Sequence, residues 1–392
     1  MTWSASGRER LGRLEGDGGI QGPRHPPINR YNLHATPRPA AAPPSRAPTM
    51  PLRTLVLGDL QAPLATLLHV LRHHDALDGD HLRDDVHLVS IGDYVDYGHD
   101  PAQAAHEGEA VLDWVAAQAP ERITILLGNH DAARVMEFSG WTDDRFAAAR
   151  AALLEGLHVP DAPTRNLVTR DCAAYTEGQA RRIRALIHDG RMRLATTVND
   201  ADGRPLLVTH AGVTRRELSL LVQAGRLAED DQHDAIAVAD ALESFFTDQA
   251  ARSGPSTPLD LTPLYIPASE GREAGGLLYH RPANDDRAAR PDADLAWEFD
   301  PERPRRYAPH ALQRGLSQVC GHTPHRRAWR ELIGFHEGDE GAPGVVRTLV
   351  VGDAPRYTNR RLPPAAPGEA HVYYIDADLA KTPPSEVRLF TA

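Results

Sequence analysis

From Leu52 onward, short apolar runs alternate with longer stretches whose apolar residues recur at helical spacing. The runs LRTLVL (52–57), VHLVSI (86–91), ITILL (123–127) and PLLVTH (205–210) are followed by GLSQVC (315–320), VVRTLVV (345–351) and HVYYID (371–376). The first three are β-branched and apolar on both alternate faces, the pattern of strands buried in a parallel sheet. Between them, residues 63–77 and 102–118 carry apolar side chains one helical turn apart. Pro63 sits where a first-turn proline is tolerated. The order βαβαβ predicts an α/β architecture.

Two regions interrupt the alternation. Residues 140–190 read as helices, with Thr142 as a cap. Residues 214–310 begin helically and then become rich in Pro, Asp and Arg. Both are expected to be insertions that cover or flank a site. VRTLVVGDAP near residue 350 echoes LRTLVLGDLQAP at 52–63, yet nothing else recurs at that offset. Two similar strand-turn units are therefore expected, with no true repeat.

Composition narrows the class. A hydrophobic content of 41% in 392 residues supports a sizeable core, and a net charge of −11 argues against a general nucleic-acid or membrane-surface binder. Two cysteines cannot build a disulfide framework, so a reducing, cytoplasmic setting is expected. No run of 18 apolar residues is present. Residues 1–49 hold eight prolines, six glycines, seven arginines and three acids without hydrophobic periodicity. They are expected to be a disordered, dispensable N-terminal extension, with translation from Met50 as an alternative. The domain proper is then 50–392.

Five short motifs fall in order at the ends of the predicted strands: GDLQ (58–61), GDYVDYG (92–98), GNHD (128–131), THAG (209–212) and CGHTPH (320–325). Each sets a metal-competent side chain beside a glycine, where a strand gives way to a loop. In open α/β sheets that edge is where sites form. Carboxylates and an amide carbonyl are hard oxygen donors, and imidazoles add nitrogen donors, a set suited to two adjacent divalent cations. Asp93 is the natural bridging carboxylate. Two cations roughly 3.5–4 Å apart can hold a bridging water, lower its pKa and clamp a phosphoryl group during in-line attack.

The series GD-x-(H), GD-x-x-D, GNH-D/E, H-A-G and GH resembles the calcineurin-like metallophosphoesterases. The phosphoprotein-phosphatase branch, with its bacterial members and the diadenosine tetraphosphate hydrolases, is the most similar. The resemblance spans about residues 52–380 outside the insertions. It implies a four-layer α-β-β-α sandwich with helical insertions, and hydrolysis of a phosphomonoester or a nucleotide-like phosphoanhydride. It implies two divalent metal ions, with manganese expected and iron, zinc or magnesium as alternatives. It also implies the roles: Asp59 on the first metal, Asp93 on both, and Asn129, His210 and His322 on the second. His130 acts near the leaving-group oxygen, Asp96 orients His130, and Asp131 supports the loop.

Two positions depart from that pattern. Gln61 stands where the family usually has histidine, so the first metal is completed either by the Gln61 amide or by His325, three residues after His322. Tyr97 stands where the phosphoprotein phosphatases carry a phosphate-gripping arginine. Replacements are Arg134, one turn past the metal loop, or Arg281 in LLYHRP; solvated surface arginines are the alternative for both. The expected partner is a phosphorylated small molecule, a nucleotide or a phosphoprotein, with neither nucleic acid nor membrane. A phosphodiesterase or nuclease of the same fold, and a catalytically decayed metal-binding scaffold, are the competing readings.

Overall fold

The computed structural model describes residues 52–98, 100–269, 274–284 and 306–392. The extension expected over 1–49, together with His99 and Trp297, lies outside the described residues. Twelve of the strands matter to the site. They are β1 (Arg53–Leu57), β2 (Val86–Ser90), β3 (Ile123–Leu126), β4 (Met192–Arg193), β5 (Ala195–Asn199) and β6 (Pro205–Thr209). The others are β7 (Gln318–Cys320), β8 (His336–Glu337), β9 (Arg347–Val351), β10 (Arg356–Thr358), β11 (Ala370–Tyr374) and β12 (Phe390–Thr391).

Among the described residues they form a five-stranded sheet, β12-β1-β2-β3-β4, and a seven-stranded sheet, β8-β10-β9-β11-β7-β6-β5. In the first, β1 to β4 run parallel and β12 closes the edge antiparallel. In the second, β6, β7 and β11 are parallel neighbours flanked by the antiparallel β5 and β9; β10 runs antiparallel to β9, and β8 pairs with β10 in parallel.

Strict alternation along each strand places the sheets face to face. Val56, Val89 and Leu126 point from the first sheet, with Ile91 just beyond β2, into a shared layer with Val198, Leu206, Val208 and Val319 of the second. The intervening Leu55, Leu57, Leu88 and Ile125 point the other way, against helices. Those helices are α1 (Leu64–His73), α2 (Pro101–Ala117) and α5 (Glu177–His188). On the second sheet, α6 (Ala235–Arg252) packs over β5 and β6. The expected α-β-β-α layering is the observed one. Each of these buried Val, Leu or Ile side chains contributes about 1.5–3 kcal/mol through removal from water.

Local signals explain the element ends. The stretch expected to be helical to residue 77 stops at His73, and Asp75 turns into the left-handed region with φ 51°. Helix α2 starts at Pro101 because the Asp100 carboxylate accepts from the Ala102 and Gln103 amides. Between α2 and α5 lie α3 (Asn129–Val135) and α4 (Asp143–Leu154), the latter capped by the Thr142 hydroxyl accepting from Arg145 N. Residues 140–190 build their own small core around Phe138, Trp141, Phe146, Val168 and Tyr175, and α5 lies against α2 and α3. The echo at VVGDAP is a surface turn: Asp353 is exposed and pairs with Arg314 at 2.7 Å.

Candidate metal centre

The loops that leave β1, β2, β3, β6 and β7 meet in one crevice. Three of their ligand-type residues take backbone angles that side chains rarely adopt: Asp93 (φ 57°), Asp96 (φ 63°) and His322 (φ 60°). Strain of about 1–3 kcal/mol at each is the kind that clusters where geometry serves a site. Gly92 permits a close approach. Its φ is 105°, and a Cβ there would lie 2.4 Å from the Gly128 amide nitrogen. Gly92→Ala is therefore expected to cost about 2 kcal/mol or more and to loosen the contact between the two loops, read out as a lowered melting temperature.

Asp131 ties those loops together. Fully buried, it accepts from the Gly128 amide at 2.9 Å, the Asp93 amide at 2.8 Å and the Tyr94 amide at 3.1 Å. The Asp93 carboxylate in turn accepts from the His130 amide at 2.9 Å. In the same way the Asp59 carboxylate accepts from the His322 amide at 2.9 Å, so the first and last motifs hold each other.

At the centre, His210 donates from Nδ1 to the Ile91 carbonyl at 2.8 Å, which leaves Nε2 as a lone pair. That lone pair faces the Asn129 Oδ1 at 2.9 Å and the His322 Nδ1 at 3.2 Å. Asn129 in addition hydrogen-bonds the Tyr279 hydroxyl, which fits its amide nitrogen on that side and its oxygen toward His210. Burial pulls both imidazoles down, His322 well below the usual histidine range. Asp93 Oδ1 stands 3.7 Å from His210 Nε2. Oxygen and nitrogen lone pairs of Asn129, Asp93 and His210 thus converge, a donor set of the kind that binds a divalent cation. Asp93, His210 and His322 can all reach one ion. The donor set thus fits a divalent metal.

Beside it stands a charge relay of a different kind. His130 Nδ1 lies 2.9 Å from Asp96 Oδ2, and its Nε2 lies 3.9 Å from Asp93 Oδ2. Burial opposes protonation of His130, yet Asp93 and Asp96 outweigh it and hold the imidazole well above its ordinary value. Asp96 is backed by Arg134 at 2.7 Å and accepts from the Ala174 amide at 3.2 Å. Burial works against the Asp96 charge, but Arg134 and His130 keep its pKa below normal. Cys172 lies close to Asp96 and His130, but burial pushes its thiol up and keeps it protonated. Asp96 is already neutralised by Arg134, so this second cluster lacks the unmet negative charge of the first.

The structure brings Asp93, Asn129, His130, His210 and His322 together, with Asp59 bonded to the His322 loop. It does not bring His325 there: that side chain is buried with Nε2 3.6 Å from Glu340, and burial beside Arg347 lowers its pKa to about 3. Gln61 is half-buried and makes no side-chain hydrogen bond to the described residues. Tyr97 keeps a buried hydroxyl without a hydrogen-bond partner, and burial near Glu107 pushes its pKa up to about 12. Arg134 is fully buried behind Asp96, with Nε donating to Gln179 at 2.9 Å and Nη1 to the His130 carbonyl at 2.8 Å. Arg281 is half-buried, and its charge reaches His210, His322 and Asp376.

Two contributors were not legible in the motifs. Tyr279 packs edge-on to His322 with ring centroids 5.7 Å apart, and its proximity in sequence to Arg281 is the only signal that could have flagged it. Gln179, which anchors Arg134, belongs to a capping box with Thr176 and reads locally as a helix start.

Comparison with known proteins agrees with this geometry. The calcineurin-like phosphoesterase family matches residues 52–259, more than half of the chain. Among curated proteins none matches. The chain shares 14% identity with a cold-active protein tyrosine phosphatase, covering 88% of this chain and 80% of that one, with a TM-score of 0.36. The cold-active protein-tyrosine phosphatase of a psychrophilic Shewanella sp. gives 13%, 88%, 77% and 0.37. Scores this low carry no argument about fold or substrate. The family match, with strand order and site in accord, leads to one conclusion: this chain belongs to the calcineurin-like phosphoesterases, metal-dependent hydrolases of phosphoric esters.

Proposed function

We propose that the protein is a binuclear metallophosphoesterase acting on a phosphomonoester or a nucleotide-like phosphoanhydride. The observation that carries the reading is the facing pair of lone pairs on His210 Nε2 and Asn129 Oδ1, 2.9 Å apart and joined by His322 and Asp93. Asp93, Asn129, His210 and His322 would hold one divalent ion, and Asp59 with Asp93 would hold the other. Manganese is the expected metal. The ions would supply Lewis acidity and a lowered pKa for water.

The remaining chemistry belongs to the chain's own side chains. His130, held by Asp96 through Nδ1 and cationic in this field, presents Nε2–H toward the leaving-group oxygen and donates the proton it needs. Asp96 fixes the ring and is itself fixed by Arg134. With tyrosine at position 97, the substrate phosphate is gripped by Arg281, whose charge already acts on the centre. Tyr279 steadies Asn129. Two free, buried cysteines accord with a cytoplasmic setting, and no helix among the described residues is long and apolar enough to cross a membrane.

The test is turnover of an aryl phosphate by protein reloaded with manganese. Activity should appear with the metal, vanish with a chelator and return on re-addition. His210→Ala should abolish it. Metal binding without turnover in the unmodified protein would identify a scaffold, and preference for a bis-aryl phosphate would identify a diesterase.

A further inference from the structure

His280 belongs to none of the five motifs and is buried, at 2% exposure. It faces a charged pair buried more deeply still: Arg216 is 1% exposed and Glu217 is fully enclosed. The pair opens the helix Arg215–Gln223, directly after the motif that carries His210. The Glu217 carboxylate accepts from Arg216 Nη1 at 2.7 Å, from the Thr214 amide at 3.0 Å and from the Thr214 hydroxyl at 2.6 Å. Arg216 also donates from Nη2 to the Pro263 carbonyl at 2.9 Å. A buried ion pair adds little net stability over apolar packing of the same volume. Its use lies in what it holds.

His280 Nδ1 lies 3.4 Å from Glu217 Oε2, and the imidazole packs edge-on to Tyr307 with ring centroids 5.9 Å apart. The ring also hydrogen-bonds the backbone of Gly212, two residues past His210. Gly212 is closely packed there: a Cβ would lie 2.7 Å from the Tyr307 hydroxyl. Before His280 the chain turns sharply, with the Tyr279 and His280 amides both donating to the Gly276 carbonyl, at 2.9 and 3.0 Å. In so tight a turn, a side chain fixed at 280 fixes its neighbour. The Tyr279 ring lies between Tyr265, at 5.8 Å, and His322, at 5.7 Å, and its hydroxyl bonds Asn129. One buried imidazole thus joins the turn behind His210 to the tyrosine that touches Asn129 and His322.

We propose that His280, anchored by the Arg216–Glu217 pair, is a positioning residue for the metal centre: it holds Tyr279 against Asn129 and His322 and steadies the turn behind His210. The proposal rests on the reading above in which Asn129, His210 and His322 share one ion. Outer contacts that orient ligands are worth about 10–100-fold in metal affinity. Loss of His280 should act through Tyr279, and should show in the bound ion as well as in the fold.

The test titrates manganese into the metal-free full chain, reading ions bound and their affinity beside a melting curve of each metal-free variant. Tyr279→Phe, which removes the hydroxyl, should weaken one ion by about tenfold. His280→Ala should weaken the same ion by at least that factor. Adding Tyr279→Phe to His280→Ala should change the affinity by no more than about twofold, because both substitutions break one chain of contacts. His280→Gln keeps a donor and should recover part of the affinity; if His280→Ala does not fold, the same cycle is run with His280→Gln. Unchanged affinity in the folded His280 variant would overturn the proposal, and so would losses that multiply in the double variant; either would leave His280 as a packing residue. One ion per chain with the coupling intact would sink the two-metal reading and leave this proposal standing. Two ions with the coupling intact but no turnover would sink the catalytic reading alone. No manganese bound by the unmodified chain would overturn both.

Discussion

Asp93→Asn should give a folded protein whose aryl-phosphate turnover is lower by about 10³-fold, the upper end of what losing one preorganised electrostatic group costs an enzyme. The substitution is nearly isosteric, and its amide oxygen can still accept from the His130 backbone at the position Asp93 Oδ1 now holds, 2.9 Å away. The Asp131 contact to the residue 93 amide is untouched. The loop should therefore keep its shape while the charge between His130, 3.9 Å away, and His210, 3.7 Å away, is removed. Turnover is read alongside a melting curve of the metal-free protein. That curve should not fall, since one of several buried carboxylates has been neutralised. Activity within about tenfold of the unmodified protein would show that Asp93 does not hold the metals.

Arg134→Met should have the opposite profile, a large loss of stability. Arg134 is wholly inside the protein and meets Asp96 at 2.7 Å, Gln179 at 2.9 Å and the His130 carbonyl at 2.8 Å. Truncating it strands the buried Asp96 charge, a loss of about 3–5 kcal/mol. For a domain of this size the melting temperature should fall by roughly 5–10 °C. Because the guanidinium lies behind Asp96 and away from solvent, surviving activity should show a reduced kcat with KM for a small aryl phosphate little changed. Arg134→Lys keeps the charge but not the forked geometry, and should recover only part of the loss. A raised KM at unchanged stability would instead identify Arg134 as a phosphate-gripping residue.

These two substitutions separate the layers of the site. One removes a charge that faces the reacting groups; the other removes the counter-charge that lets Asp96 stay ionised and hold His130. The family match makes the chain a metal-dependent phosphoesterase, while substrate and metal preference depend on what surrounds the centre. Residues 214–310 bring Tyr279 and Arg281 to the rim, and residues 140–190 bring the Ala174 amide and Gln179 to the relay. Both stretches read from sequence as departures from the βα alternation, and both donate groups to the centre.

What the sequence by itself determined is local. The runs at 52–57, 86–91, 123–127 and 205–210 became β1, β2, β3 and β6 within a residue or two, because alternation and length specify a buried strand without reference to its neighbours. Asp59, Asp93, Asn129 and His322 were legible because each stands directly after a glycine at the end of its strand, and His210 because it follows its strand two residues before one. The two-residue strands β4, β8 and β12 were not, since so short a segment carries no period; partners across the sheet induce them. The tertiary structure alone decided which nearby residues join the centre. His325 follows His322 by three positions, yet packing turns it to Glu340, while Tyr279, outside every motif, comes edge-on to His322. On sequence grounds Arg134 is expected to face substrate or solvent, and in the structure it does neither: the burial of Asp96 draws its counter-charge in behind it.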